Sequence, residues 1–157
     1  MGIWAFYTTC HQSELVLIRD STHQEPVSRT LPYFEYSEMY KFWYGLHLML
    51  TDGLEEPCED NILSNAVAGQ FFLWGDNSEW GDGCWWWDCH CPASNDSRRV
   101  KEIAKALIFI DVNTVINPSR FGITDNFKPL FLEKFIELRH FYTQASIHEL
   151  AVIASFG

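Results

Sequence analysis

Apolar and polar positions alternate or recur along the chain in a way that predicts successive short elements. Residues 3–10 (IWAFYTTC) are β-branched and aromatic, which suits a half-buried strand. Residues 12–20 (QSELVLIRD) have the spacing of a short helix, with Ser13 as its cap. Residues 21–37 carry Pro26 and Pro32 among polar neighbours and predict an irregular loop. Over residues 38–50 the apolar positions Met39, Phe42, Trp43, Leu46, Met49 and Leu50 recur at helical spacing, and Thr51-Asp52-Gly53 ends that helix.

Residues 62–68 predict a second short helix, stopped by Gly69. Residues 70–74 (QFFLW) read as a strand, 75–83 as a turn-rich loop and 84–91 as a returning strand, together an antiparallel hairpin with a long tip. Asp96 or Ser97 caps the next helix, which sets Val100, Ile103, Ala104 and Leu107 on one face. A further short helix spans 111–117, before Pro118. The longest helix starts at Thr124 or Asp125, and its apolar positions are Phe127, Leu130, Phe131, Phe135, Leu138, Phe141 and Tyr142. Pro129 falls in its first turn, where a missing N–H costs little. Residues 149–156 close the chain as a strand. The sum is a single α+β domain over residues 1–157, its helices packed on an antiparallel sheet that includes the N- and C-terminal strands.

Length and composition agree with that reading. At 157 residues, 47% hydrophobic and 20% charged, the chain has the make-up of one globular domain, able to bury roughly 70% of its unfolded surface. Its apolar runs are shorter than the ~20 residues that span a bilayer, so no membrane association is expected. The first residues lack a basic stretch ahead of an apolar one, so a cytoplasmic location is expected.

Charge changes the picture most. The formal net charge is −10, which repels a phosphate backbone and argues against nucleic acid as a partner. After Lys41 the next basic residue is Arg98. Between them lie ten acids, while the rest of the chain balances eleven acids with eleven bases. The same segment holds six of the seven Trp, at 43, 74, 80, 85, 86 and 87. Acids speed the approach of a basic protein and aromatic side chains anchor it. The alternative is that the acids keep the domain soluble while the indoles fill its core. Aromatic residues are more often core than interface, which supports the alternative; the three consecutive Trp weaken it, because neighbours on a strand point to opposite faces and both faces would need to hide indole.

Candidate chemistry is sparse. Five Cys, an odd number, fit reduced thiols better than a disulfide framework. Cys89-His90-Cys91 lacks the ligand spacing of structural zinc, and neither Cys84 nor His11, His23 or His47 is singled out as a completing ligand. In 76–87 the Gly of a calcium loop is present, but Trp80 and Trp87 occupy two of its ligand positions. His47 stands on an apolar helix, where a packed, hydrogen-bonded role is the commoner one. His140 and His148 near the end of the long helix are explained by the helix dipole. No catalytic residue, metal site or cofactor is expected.

Several short motifs occur in an order that resembles a known family. They are Lys41-Phe42-Trp43, Leu46-His47, Leu50-Thr51, Leu63-Ser64, Ala66-Val67, Gly69, Pro92, Val100 to Ala104 with Leu107, the aromatic helix 135–145, and Ala151-Val152. The chain is similar to the YfbM-like family, domain of unknown function 1877. That resemblance covers residue 40 to the end plus the first strand. It implies a small bacterial cytosolic α+β domain and supplies no catalytic residues. Residues 75–91 depart from the family in their wealth of Trp and Cys.

The expected function is therefore a non-enzymatic protein-binding module, in its sharper form an immunity or antitoxin-type inhibitor that masks a basic toxin or effector. Its contact residues are Asp76, Glu79, Trp80, Asp82, Trp85 and Asp88, with Glu55, Glu56, Glu59 and Asp60 as a second acidic patch. The alternative is a small-molecule- or metal-binding domain, with weak catalysis at most, using His47 or the region of Cys89 and Cys91. A third reading is a structural oligomer subunit. Sequence does not choose an oligomeric state.

Overall fold

Residues 5–20, 36–39, 42–73 and 92–156 are described by a computed structural model. Their elements are β1 (Ala5–Cys10), α1 (Gln12–Asp20), β2 (Tyr36–Met39), α2 (Trp43–Leu50), α3 (Ile62–Ala68), β3 (Phe71–Phe72), β4 (Ala93–Asn95), α4 (Ser97–Ile108), α5 (Val112–Val115), α6 (Lys128–Ile147) and β5 (Ala151–Phe156). Short 3-10 turns lie at Pro118–Phe121 and Asp125–Phe127.

The strands form one antiparallel sheet in the order β2-β1-β5-β4-β3. The N- and C-terminal strands are neighbours inside it, paired from Ala5↔Phe156 to Cys10↔Ala151. Alternation along the strands divides their side chains between two faces. Ala5 and Tyr7 of β1 and Val152 and Ala154 of β5 join the large core under the helices. Cys10, Ala151 and Ile153 belong to a smaller cluster on the opposite face, completed by Leu15 of α1 and by Leu73.

In the helical layer, α4 buries Val100, Ile103, Ala104 and Leu107, the face expected from its spacing. α6 buries Phe131, Phe135, Leu138, Phe141, Tyr142 and Ala145. Each of its buried Phe and Leu side chains contributes about 1.5–3 kcal/mol, and the helix packs mainly against α4. Phe127 and Leu130, also on its apolar pattern, remain partly exposed, at 44% and 39%.

Helix ends follow local chemistry. Asn61 caps α3, accepting from the N–H groups of Leu63 and Ser64 at 3.0 and 2.9 Å. Gly69, at φ 81°, ends it as expected. Asp96 caps α4 by accepting from Arg99 N–H at 2.8 Å. α1 departs from expectation: the His11 N–H donates to Glu14 Oε2 at 2.7 Å, so a carboxylate inside the first turn does the work assigned to Ser13. α6 starts later than expected, because the 3-10 turn Asp125–Phe127 comes first and sets Pro129 in the opening turn of the helix.

One expectation about strands is corrected. Residues 36–39 are not loop or helix but the edge strand β2, and α2 begins only at Trp43. Pairing decides this: β2 bonds to the free edge of β1, from Ala5↔Met39 to Thr8↔Tyr36, and so satisfies backbone groups that a helix there would leave open. Among the described residues β3 pairs antiparallel with Ala93–Asn95, with Phe71↔Ser94 and Phe72↔Ala93 in register. The return strand expected at 84–91 lies outside the described residues.

Candidate functional site

The connection from α2 to α3, residues 51–61, carries the second acidic patch. Leu48 O accepts the Gly53 N–H at 2.7 Å, and Asp52 and Gly53 both adopt positive φ, so the chain turns sharply away from α2. Glu55, Glu56, Glu59 and Asp60 are all exposed. Glu55, Glu56 and Asp60 form no ion pair with the described bases. Asp52 is paired with Arg120. Tyr44 of α2 stands close by: burial, and then the Glu55 carboxylate, push its phenol above the ordinary value.

Beneath this rim the backbone is held by buried side chains. Ser64 Oγ accepts the Cys58 N–H at 2.9 Å, and Asn65 Nδ2 donates to the Cys58 carbonyl at 2.8 Å. Both amide groups of one rim residue are thus tied to α3. Thr51 Oγ1 donates to the His47 carbonyl at 2.7 Å and accepts the Leu54 N–H at 3.2 Å. Arg99 of α4 donates Nη2 to the Glu59 carbonyl at 2.9 Å while its Nη1 pairs with Glu102.

His47 is fully buried, and its Nε2 lies 3.0 Å from Ser64 Oγ. Burial drives its pKa down to about 4, against a hydrogen bond to the Leu54 backbone that favours the proton. The ring is neutral at pH 7. This is the packed, hydrogen-bonded histidine that its apolar helix suggested. A Ser–His contact can serve nucleophilic catalysis, but both groups here have zero exposure and no solvent-facing side.

Polar contacts continue toward the sheet. Asn95 Nδ2 donates to the Asn65 carbonyl at 2.9 Å and to Tyr142 Oη at 3.0 Å, and Tyr7 Oη donates to the Val67 carbonyl at 2.7 Å. Sequence reasoning missed Ser64, Asn65 and Asn95. The available signal was a polar pair, Ser64-Asn65, set inside an otherwise apolar helix.

Asp76, Glu79, Trp80, Asp82, Trp85 and Asp88 lie outside the described residues, as do Cys84, Cys89, Cys91 and the Trp triplet. Of the six Trp in the acidic segment only Trp43 is described. It is a core residue, edge-on to Tyr44 at 5.8 Å, and not a surface anchor. Cys10 and Cys58 are free thiols, the first buried and the second half-buried. Among the described residues, no group of three or more His, Cys, Asp and Glu side chains is placed to hold a metal ion. His148 stands at the C-cap of α6 as expected, but His140 sits about two turns upstream and is not a cap. No helix among the described residues is long and apolar enough to cross a membrane.

The fold is that of a small α+β domain with helices on an antiparallel sheet. No family model matches the chain, and no curated protein matches it. Among solved structures it is similar to YfbM from Escherichia coli, a protein of unknown function, at a TM-score of 0.69 and 13% identity over 98% of this chain and 99% of that one. The chain has a YfbM-like fold, in line with the resemblance read from its motifs.

Proposed function

We propose that this protein is a cytoplasmic, non-enzymatic binding module whose acidic face captures a basic protein, in the manner of an immunity or antitoxin-type inhibitor. The shared fold supports placing it with the YfbM-like family, domain of unknown function 1877. The observation that carries the binding reading is the rim of 51–61. It presents Glu55, Glu56, Glu59 and Asp60 to solvent on a backbone fixed from below by Ser64, Asn65 and Arg99. Acids held in place this way lose little freedom on binding and attract a basic partner at long range. Asp76, Glu79, Asp82 and Asp88 add negative charge to the same segment, and Trp80 and Trp85 supply anchors.

Charge reversal tests the reading. Replacing Glu55, Glu56 and Asp60 with Lys changes only exposed side chains. Affinity for the captured basic partner at low salt is expected to fall at least about tenfold, mainly through slower association. Unchanged affinity in this variant and in a second one, with Asp76, Glu79 and Asp82 replaced by Lys, would remove the electrostatic reading.

A further inference from the structure

We propose that the outer groove between α4 and α6 docks a second copy of this chain, by way of that copy's acidic connection 51–61. Each of the two surfaces carries charges that its own molecule leaves unanswered and that the other supplies.

α4 and α6 pack side by side. Lys101, near the start of α4, pairs with Glu149, just past the end of α6, so the helices run antiparallel. Lys101, Lys105 and Ile108 succeed one another at helical spacing along the flank of α4 turned to α6. The right-handed winding of α6 sets Lys128, Leu132 and Arg139 on its facing flank, with Ile136 beside them on the solvent side. The C-terminal end of α4 therefore lies along the N-terminal half of α6. The surface there is apolar: Ile108, Phe109 and Ile136 are 58%, 79% and 51% exposed. Apart from Val16 and Leu17, every exposed large apolar side chain among the described residues belongs to α4, α6 or their ends. Apolar side chains gathered on one face mark an interaction surface.

The charges around this patch are bases in search of acids. Lys105, Lys128 and Arg139 form no ion pair among the described residues. Glu102 is engaged by Arg98 and Arg99, and Glu137 by Lys134, which leaves Glu133 as the one unpaired acid of the two helices. The connection is the converse. Its Glu55, Glu56 and Asp60 have no base among the described residues, and half-buried Leu54 and Pro57 stand beside them.

Both surfaces border α4. The connection is tied to one flank by Arg99, which donates to the Glu59 carbonyl, and the groove runs along the other. A two-fold axis then lets each groove receive the other copy's connection, which closes a dimer. The net charge of −10 opposes this association, so the apolar contacts carry it, the charge pairs set its register, and the dimer is weak and transient. The pairing does not rest on the proposed function. Where both hold, the second copy covers the acidic rim until a tighter basic partner displaces it.

Sedimentation velocity of the full chain, over rising concentration and with no other protein present, tests the dimer, so its failure is distinct from failure of the binding proposal. A monomer–dimer equilibrium is expected. Ile108→Ser with Phe109→Ser should raise its dissociation constant at least about tenfold. So should a groove variant with Lys105→Glu and Lys128→Glu, and a rim variant with Glu55→Lys, Glu56→Lys and Asp60→Lys. An equimolar mixture of the groove and rim variants restores every charge pair and should restore the dimer. A wild type that stays monomeric at every concentration would overturn the proposal, as would a dimer indifferent to these changes or a mixture that stays monomeric. Circular dichroism checks that each variant folds, and should one charge variant not fold, the other and the Ile108–Phe109 variant still decide.

Discussion

Asn95 on β4 donates a single carboxamide nitrogen to two elements at once, 2.9 Å to the Asn65 carbonyl of α3 and 3.0 Å to Tyr142 Oη of α6. Three elements of the fold meet at that nitrogen, and all three residues are fully buried. Asn95→Ala should cost about 2–3 kcal/mol, since it deletes two buried hydrogen bonds and strands the Tyr142 hydroxyl. Urea unfolding checks this. A loss below about 0.5 kcal/mol would mean that the junction contributes little.

The two glycines Gly69 and Gly122 both have positive φ but differ in space. A Cβ at Gly69 would come within 2.6 Å of Ala93 Cβ and 2.9 Å of the Ala93 carbonyl carbon, whereas one at Gly122 meets nothing within 4 Å. Gly69→Ala should therefore destabilise by about 2–4 kcal/mol, because strain and clash add at the β3–β4 pair. Gly122→Ala should cost about 1–2 kcal/mol from strain alone. Equal costs in thermal unfolding would show that Gly69 is not at a close approach.

Acid should weaken the fold through His47. Its folded pKa, about 4, lies below the ordinary 6.5, so on acidification the unfolded chain takes up the proton first. The stability this group confers is complete above about pH 6.5 and is lost as pH falls toward 4, to a total of about 3 kcal/mol. Unfolding free energies measured between pH 7 and 4 should fall more steeply for wild type than for His47→Gln. Parallel curves would contradict the assignment.

The two described thiols should differ in reactivity. Burial, and then the nearby Glu14, push the Cys10 thiol up to about 12, so it holds almost no thiolate at pH 8. Native alkylation followed by peptide mass spectrometry should label half-buried Cys58 well ahead of Cys10. Labelling of Cys10 first would show that α1 opens readily from the sheet.

Much of this architecture was legible because the decisive signals are local. Asp96 as a cap, Gly69 as a stop and the stripe from Val100 to Leu107 each act within a turn or two of helix. β2 was hidden because Tyr36–Met39 becomes a strand through the edge of β1, a partner more than 25 residues away in sequence. β4 was hidden because three residues, two of them polar, carry no periodicity. At the site, the acids of 51–61 were readable as charge, but Ser64 and Asn65 were not readable as their anchors. Their role depends on the backbone of Cys58 folding back onto α3.

The central claim is that the acidic face captures a basic protein. Its most direct test is a pull-down of tagged protein from its native cell extract at low and high salt, read by mass spectrometry beside the variant with Lys at 55, 56 and 60. The account predicts one stoichiometric basic partner, retained at low salt, weakened at high salt and lost by the variant. A partner held equally by the variant, or no partner in either salt, would contradict it.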